Sequence, residues 1–114
     1  MALSELTKKR AEKTLSAYCK ARVPGYLKDK VRVDFKFRGN TGTLYEERPD
    51  FNRPDTWVDT VVAQFRFDPK SMDWTLYCAD RNAKWHLYDE IERSKNIQDL
   101  LKEVDRDPTG IFWG

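Results

Sequence analysis

Residues 30–38 are the most informative stretch of the chain, because charged and apolar side chains alternate through them without interruption. Val31, Val33, Phe35 and Phe37 occupy every second position, and all the positions between them are charged. Successive side chains of a β-strand point to opposite faces, so this pattern predicts a strand with one buried and one exposed face. Such a strand needs sheet partners and a second layer that covers its apolar face.

The sequence that follows predicts four more strands, joined by short connections. The stretch "GNTG" at 39–42 favours a turn, and Pro49 and Pro54 bracket a loop because proline cannot donate a ladder hydrogen bond. Strands joined by short connections pair as an antiparallel meander. The five predicted strands are "KVRVDFKFR", "TLYEERP", "WVDTVVAQFRF", "DWTLYCA" and "KWHLY".

A helix is predicted on each side of the strands. Ser4 can cap a first helix that runs to about Val23, where "VPG" stops it. Ser94 can cap a last helix, which Pro108 and Gly110 end. The predicted fold class is therefore α+β, with both helices on one face of a five-stranded meander. The last helix has apolar residues at a spacing typical of one buried face, namely Ile97, Leu100, Leu101 and Val104.

The sequence finishes on Ile111, Phe112, Trp113 and Gly114. Contiguous exposed aromatic residues are uncommon on monomeric proteins, and Gly110 permits the chain reversal that would return this tail to the core. We therefore predict that the tail packs back between the last helix and the sheet. The alternative is a tail displayed for a partner.

A length of 114 residues suits a single domain, 1–114, with one core. No apolar run approaches the roughly 18 residues needed to span a bilayer, and the N-terminus lacks an apolar signal core. Cys19 and Cys78 lie far apart in sequence, which favours two free, buried thiols in a reducing compartment. The sequence thus predicts a cytoplasmic protein without a membrane partner and leaves its oligomeric state open.

Charge is distributed unevenly along the chain, although the net charge is only +2. Residues 1–38 hold 11 Lys or Arg against 4 acidic residues, and residues 39–114 hold 10 against 15. The basic third of the chain is consistent with a phosphate-binding surface. Alternatively, the basic and acidic elements face one another or point to solvent.

Three short motifs resemble a known family when they are taken together. An acidic-x-Arg-Pro strand end is present at Glu46, Arg48 and Pro49, a Trp-His-x-Tyr strand at 85–88, and a Phe-Trp-Gly terminus at 112–114. In this combination the chain resembles, over nearly its whole length, the bacterial family known as domain of unknown function 3024. The resemblance implies a stand-alone domain and brings no established activity.

Candidate catalytic residues are few. One histidine and two isolated cysteines do not supply a structural zinc site, and we predict neither a metal nor a cofactor. Strand alternation places Cys78 in the core and His86 on the opposite face, which argues against a Cys-His pair. A small hydrolase or nuclease centred on Glu46, Arg48 and His86 is the alternative function, because His86 is the side chain that titrates near neutral pH.

The favoured function is a non-catalytic binding module that uses the exposed face of the sheet. Lys and Arg side chains can hold phosphates while bases stack on aromatic rings, so the partner is either single-stranded nucleic acid or a protein. Tyr45 and Tyr77 are expected to join this face. The predicted binding residues are Lys30, Arg32, Lys36, Arg38, Lys84 and Tyr88.

Overall fold

The computed structural model describes residues 3–113. Its elements are α1 (Glu5–Arg22), a short 3₁₀ helix (Gly25–Leu27), β1 (Arg32–Arg38), β2 (Thr41–Pro49), β3 (Trp57–Asp68), β4 (Asp73–Ala79), β5 (Trp85–Leu87) and α2 (Ile97–Arg106). The strands pair in the order β1-β2-β3-β4-β5, each antiparallel to the next. The predicted α+β meander with flanking helices is therefore confirmed. Neither helix found among the described residues is long and apolar enough to cross a membrane.

The first helix begins where the sequence indicates. The Ser4 hydroxyl accepts a hydrogen bond from the backbone N–H of Thr7 at 3.2 Å, which satisfies one of the free donors of the first turn. Ala11, Leu15 and Cys19 follow at intervals of four residues and are all buried. One stripe of α1 therefore packs on the sheet, and the remaining faces carry its charged residues.

The second helix starts later than predicted. Ser94 is not its cap; Asn96 is, and the Asn96 side chain accepts from the backbone N–H of Gln98 at 3.0 Å. The backbone of Ser94 instead exchanges two hydrogen bonds with Trp74 of β4, at 2.7 and 3.0 Å. Because Ser94 prolongs the edge of the sheet in this way, the helix can begin only after it.

The hydrophobic core lies between the helices and one face of the sheet. Val33, Phe35 and Phe37 of β1 are half-buried against it, as expected for an edge strand. The pairing of β2 with β3 contains a β-bulge between Leu44 and Tyr45, where β3 has one residue more than β2. The alternation of buried and exposed side chains along β3 therefore shifts by one position. The buried core residues of the elements are Ala11, Leu15, Cys19, Leu44, Val62, Ala63, Phe65, Phe67, Trp74, Leu76, Cys78, Ile97, Leu100, Leu101 and Val104.

The aromatic tail folds back, as predicted, in the part that the structure describes. Phe112 is buried in the core, and Trp113 packs half-buried beside it. Both backbone N–H groups donate to the carboxylate of Asp107, at 3.0 and 2.8 Å. Asp107 has a left-handed backbone with φ of 46°, and this conformation turns the chain back at the end of α2. Gly114 lies outside the described residues.

Both cysteines are free and buried, which confirms the prediction of two free thiols packed as small apolar side chains. Burial raises the pKa of the Cys19 thiol to about 12. Burial also raises the pKa of the Cys78 thiol above its usual value. Both groups are therefore protonated at neutral pH.

Candidate binding groove on the open face of the sheet

The face of the sheet opposite the helices, which we call the open face, carries mostly polar and aromatic side chains. Cross-strand register identifies its members, because residues directly opposite each other project from the same face. Lys36 lies opposite Thr43, and Gln64 lies opposite both Thr43 and Tyr77. Arg66 lies opposite Thr41 on β2 and opposite a threonine on β4.

A groove of about 700 Å³ crosses this face from β1 to the beginning of β5. We call it the open-face groove. Its lining combines three cations with hydroxyl and amide groups, and no acidic side chain is among the lining residues. These residues are Lys36, Phe37, Arg38, Thr41, Thr43, Gln64, Arg66 and Trp85.

Arg66 is held in place at the centre of the groove. Its Nε donates to the Gln64 side-chain oxygen at 2.7 Å, and the Gln64 amide donates to the Thr43 hydroxyl at 3.1 Å. The guanidinium carbon of Arg66 lies 3.7 Å from the centroid of the Tyr77 ring. A row of connected side chains therefore crosses three strands and fixes one positive charge in a defined position.

Lys36 and Arg38 supply the remaining positive charge. The Lys36 ammonium lies 5.4 Å from the centroid of the Tyr45 ring, which is within the range of a cation–π contact. Among residues 3–113, the ion pairs involve neither of these residues nor Arg66. None of these three cations is therefore neutralised by an ion pair within the described part of the chain.

Arg32 has a different role on the same face. Its guanidinium carbon lies 3.9 Å from the centroid of the Trp57 ring, near Glu47 and Asp59, which are opposite each other on β2 and β3. Partial burial, followed by the neighbouring Asp59 carboxylate, raises the pKa of Glu47. This end of the open face is thus of mixed charge, and the cationic surface is restricted to the groove.

Lys30 and Lys84 lie outside the groove. Lys30 is exposed before β1, and its backbone N–H donates to the carbonyl of Leu27. Lys84 is exposed in the β4–β5 turn, where its backbone N–H donates to the Asp80 carboxylate at 3.0 Å. Of the predicted binding residues, the structure brings together Lys36 and Arg38.

The prediction that Tyr88 lies on the exposed face is wrong. Tyr88 is buried on the helix side, where its hydroxyl donates to Glu103 at 2.7 Å and its ring centroid lies 4.9 Å from that of Phe112. Burial, followed by the hydrogen bond to Glu103, raises the pKa of Tyr88 to about 12. Trp85 and Leu87 of β5 lie opposite residues of the open face and therefore project from that face themselves. The side chains of β5 thus point to the faces opposite to those predicted from the sequence.

The same inversion corrects the placement of His86. His86 lies directly opposite Cys78, so the two residues project from one face rather than from opposite faces. The Cys78 thiol donates to the His86 carbonyl at 3.6 Å, while the imidazole Nε2 lies 2.8 Å from the Asp80 carboxylate. The hydrogen bond to His86, followed by the bond from the Lys84 backbone, lowers the pKa of Asp80. His86 therefore closes the β4–β5 turn.

The three candidate catalytic residues do not form one pocket. Glu46 is bonded to Arg48 of the same strand, with 2.7 Å between carboxylate and guanidinium. Two strands separate β2 from the strand of His86, a distance of about 14 Å at the usual strand spacing. Within residues 3–113, no three His, Cys, Asp or Glu side chains are grouped so that they could hold a metal ion. The hydrolase remains a prediction from the sequence.

Of the eight residues that line the groove, the predicted binding residues include two and leave out six, among them Gln64, Arg66 and Trp85. Gln64 and Arg66 alternate with buried Phe65 and Phe67, so the period-two pattern of β3 could have identified them. Trp85 could not be found in this way, since a three-residue strand does not define its own phase.

The fold and the groove define a small α+β protein with helices on one face of its sheet and a cationic groove on the other. The chain belongs to the family described as Domain of unknown function (DUF3024), whose model matches residues 3–114. No curated protein and no solved structure matches the chain.

Proposed function

We propose that this protein is a non-catalytic binding module whose open-face groove takes single-stranded nucleic acid. The observation that carries the proposal is the set of three cations in the groove, none of which is paired with a carboxylate within residues 3–113. A polyanionic backbone supplies the missing negative charge at regular intervals and gains affinity by releasing its counterions.

Aromatic side chains give the groove its second property. Trp85 is half-buried at one end and stacks on no aromatic or cationic side chain among the described residues. A base stacked on such a ring contributes about 1–3 kcal/mol and needs no sequence-specific contact. The Thr43 hydroxyl and the Gln64 amide also line the groove, where they can form hydrogen bonds with a bound strand. We therefore expect weak dependence of binding on base sequence.

The dimensions favour a single strand. From β1 to β5 the sheet crosses four strand spacings, about 19 Å, which accommodates a short stretch of unpaired nucleotides. A protein partner would use the same Arg, Tyr and Trp chemistry. The affinity for a protein partner would depend less on salt, because a folded protein does not carry one negative charge on every residue as a nucleic acid does on every nucleotide.

Fluorescence anisotropy with a labelled oligouridine of about 12 nucleotides tests the proposal. Three phosphate contacts predict that log K falls with log salt at a slope of about −2, so affinity drops about twentyfold between roughly 50 and 200 mM salt. The Lys36→Ala, Arg38→Ala double variant should bind weakly, with a slope of about −0.7.

The matched control is the Lys9→Ala, Arg53→Ala double variant, which removes the same charge at exposed positions outside the groove. It should retain the parent affinity within about twofold, since distant charges are screened beyond about 10 Å. Equal loss in both double variants would mean that only net charge matters. That outcome, or no binding at low salt, would overturn the proposal.

A further inference from the structure

A second groove lies on the other side of the molecule, between α1 and α2. It has a volume of about 600 Å³, and we call it the helix groove. It shares no lining residue with the open-face groove. Sites for small molecules commonly occupy 300–1,000 Å³ and are mostly apolar with a few placed polar groups, so its size falls in this range.

The floor of the helix groove is apolar. Leu101, which is 2 % exposed, forms part of it together with Ala17 and Tyr18. The hydroxyl of Thr14 donates to the backbone carbonyl of Arg10 at 3.0 Å, so its one donor is already used within α1. Apolar surface predominates in the lining, in contrast to the open-face groove.

The rim of the helix groove is positively charged. Lys13 lies on the α1 side, and Lys102 and Arg106 lie on the α2 side. None of the three takes part in an ion pair found among residues 3–113. Three uncompensated cations around an apolar floor attract a ligand that has both an apolar body and a negative charge.

The acidic residue in the lining, Asp105, does not cancel this charge. Its carboxylate accepts a hydrogen bond from the Tyr18 hydroxyl at 3.1 Å and lies 3.6 Å from the guanidinium of Arg22. Burial, followed by the Asp105 charge, raises the pKa of Tyr18, so the phenol stays protonated and remains a donor to Asp105. The Asp105 carboxylate therefore already interacts with Tyr18 and Arg22 rather than with the three cations of the rim.

We propose that the helix groove binds a small amphipathic anion, an apolar body that carries one carboxylate or sulfonate. The apolar part lies on Leu101 and Ala17, and the anionic group lies among Lys13, Lys102 and Arg106. A nucleic-acid strand is a poor occupant, because its charges are spread along its length whereas apolar surface predominates in the lining. A partner helix is also disfavoured, since the ten residues of α2 provide a wall of only about 15 Å.

Titration with the fluorescent anion 8-anilinonaphthalene-1-sulfonate tests this proposal, with the uncharged N-phenyl-1-naphthylamine as the comparison probe. The anion should bind at one site per chain and should be displaced by decanoate but not by decanol. Because a charge contact of this kind changes affinity about fivefold, the neutral probe should bind at least that much more weakly.

Variants locate the site. Ala17→Trp fills the floor from an exposed helical position and should abolish binding. The Lys13→Gln, Lys102→Gln variant should weaken anion binding about twentyfold and leave the neutral probe unchanged. Lys9→Gln, Lys20→Gln is its matched control, with the same charge change on exposed residues outside the groove.

Two results would overturn the proposal. One is anion binding that Ala17→Trp leaves intact while the melting temperature of the variant equals that of the parent. The other is anion binding that is lost in the Lys36→Ala, Arg38→Ala variant, which would place the anion in the open-face groove. Loss of binding in Ala17→Trp with retained melting temperature, together with parent affinity in the Lys9→Gln, Lys20→Gln control, supports it.

Discussion

Replacement of Phe112 by alanine tests whether the aromatic tail is part of the core. Phe112 is 7 % exposed, and its ring centroid lies 4.9 Å from that of Tyr88. Truncation of a buried phenylalanine costs about 3–5 kcal/mol, from lost burial and from the cavity that remains. The total free energy of unfolding of a small domain is on the order of 5–15 kcal/mol. Phe112→Ala should therefore remove a large part of the stability.

The assay is urea and thermal unfolding followed by circular dichroism. A loss of about 3 kcal/mol corresponds to a fall in melting temperature of about 12 °C for a chain of this size. Ile111→Ala is the matched control, because Ile111 is the preceding residue and is 45 % exposed. It should change the free energy of unfolding by no more than about 0.5 kcal/mol. Equal, small effects of the two substitutions would refute the reasoning and would mean that the tail does not contribute to the core.

Three further outcomes follow from local geometry. Cys19 and Cys78 should react slowly with iodoacetamide at pH 8 in the folded protein and rapidly in about 6 M urea, since burial raises the pKa of both thiols; fast reaction without urea would contradict this. Asp80→Asn should lower the melting temperature at pH 7. Because the hydrogen bond to His86 lowers the pKa of Asp80, the stabilisation is present at neutral pH and lost as pH falls through the folded pKa, so parent and variant should converge at acid pH once this carboxyl is protonated. Gly39→Ala should cost about 1–2 kcal/mol in denaturant unfolding, because φ is +60° at this turn; no effect would show that the turn relaxes.

Much of the fold follows from local patterns in the sequence. Alternation in β1 and in β4 predicts strands whose core-facing side chains include Phe35 and Trp74, and each strand is present near the predicted bounds. Ser4 caps α1 because a hydroxyl before an amphipathic stripe can satisfy free N–H groups whatever the rest of the chain does. Glycine and proline mark short turns between the strands, and strands joined by short turns pair with their neighbours in sequence as an antiparallel meander. These features depend on residues close together in sequence.

The site depends on contacts that local patterns do not specify. The phase of β5 is decided by its register on β4, which places Trp85 on the open face and Tyr88 beneath α2. Ser94 is drawn into a bridge with Trp74, and the helix cap moves to Asn96 for that reason. A short strand and a polar loop carry too few side chains to fix their own orientation.

The sequence by itself determined the α+β meander, the two helices, the buried thiols and the return of the aromatic tail. Tertiary structure alone decided which charges remain unpaired. Arg66 of β3 lies over the Tyr77 ring of β4, Glu103 of α2 accepts a hydrogen bond from Tyr88, and Asp105 of α2 pairs with Arg22 of α1. The physical reason is that periodicity depends on the direction of each side chain along one element. The chemistry of a site instead depends on distances of a few ångströms between elements, which only the assembled sheet and helices set.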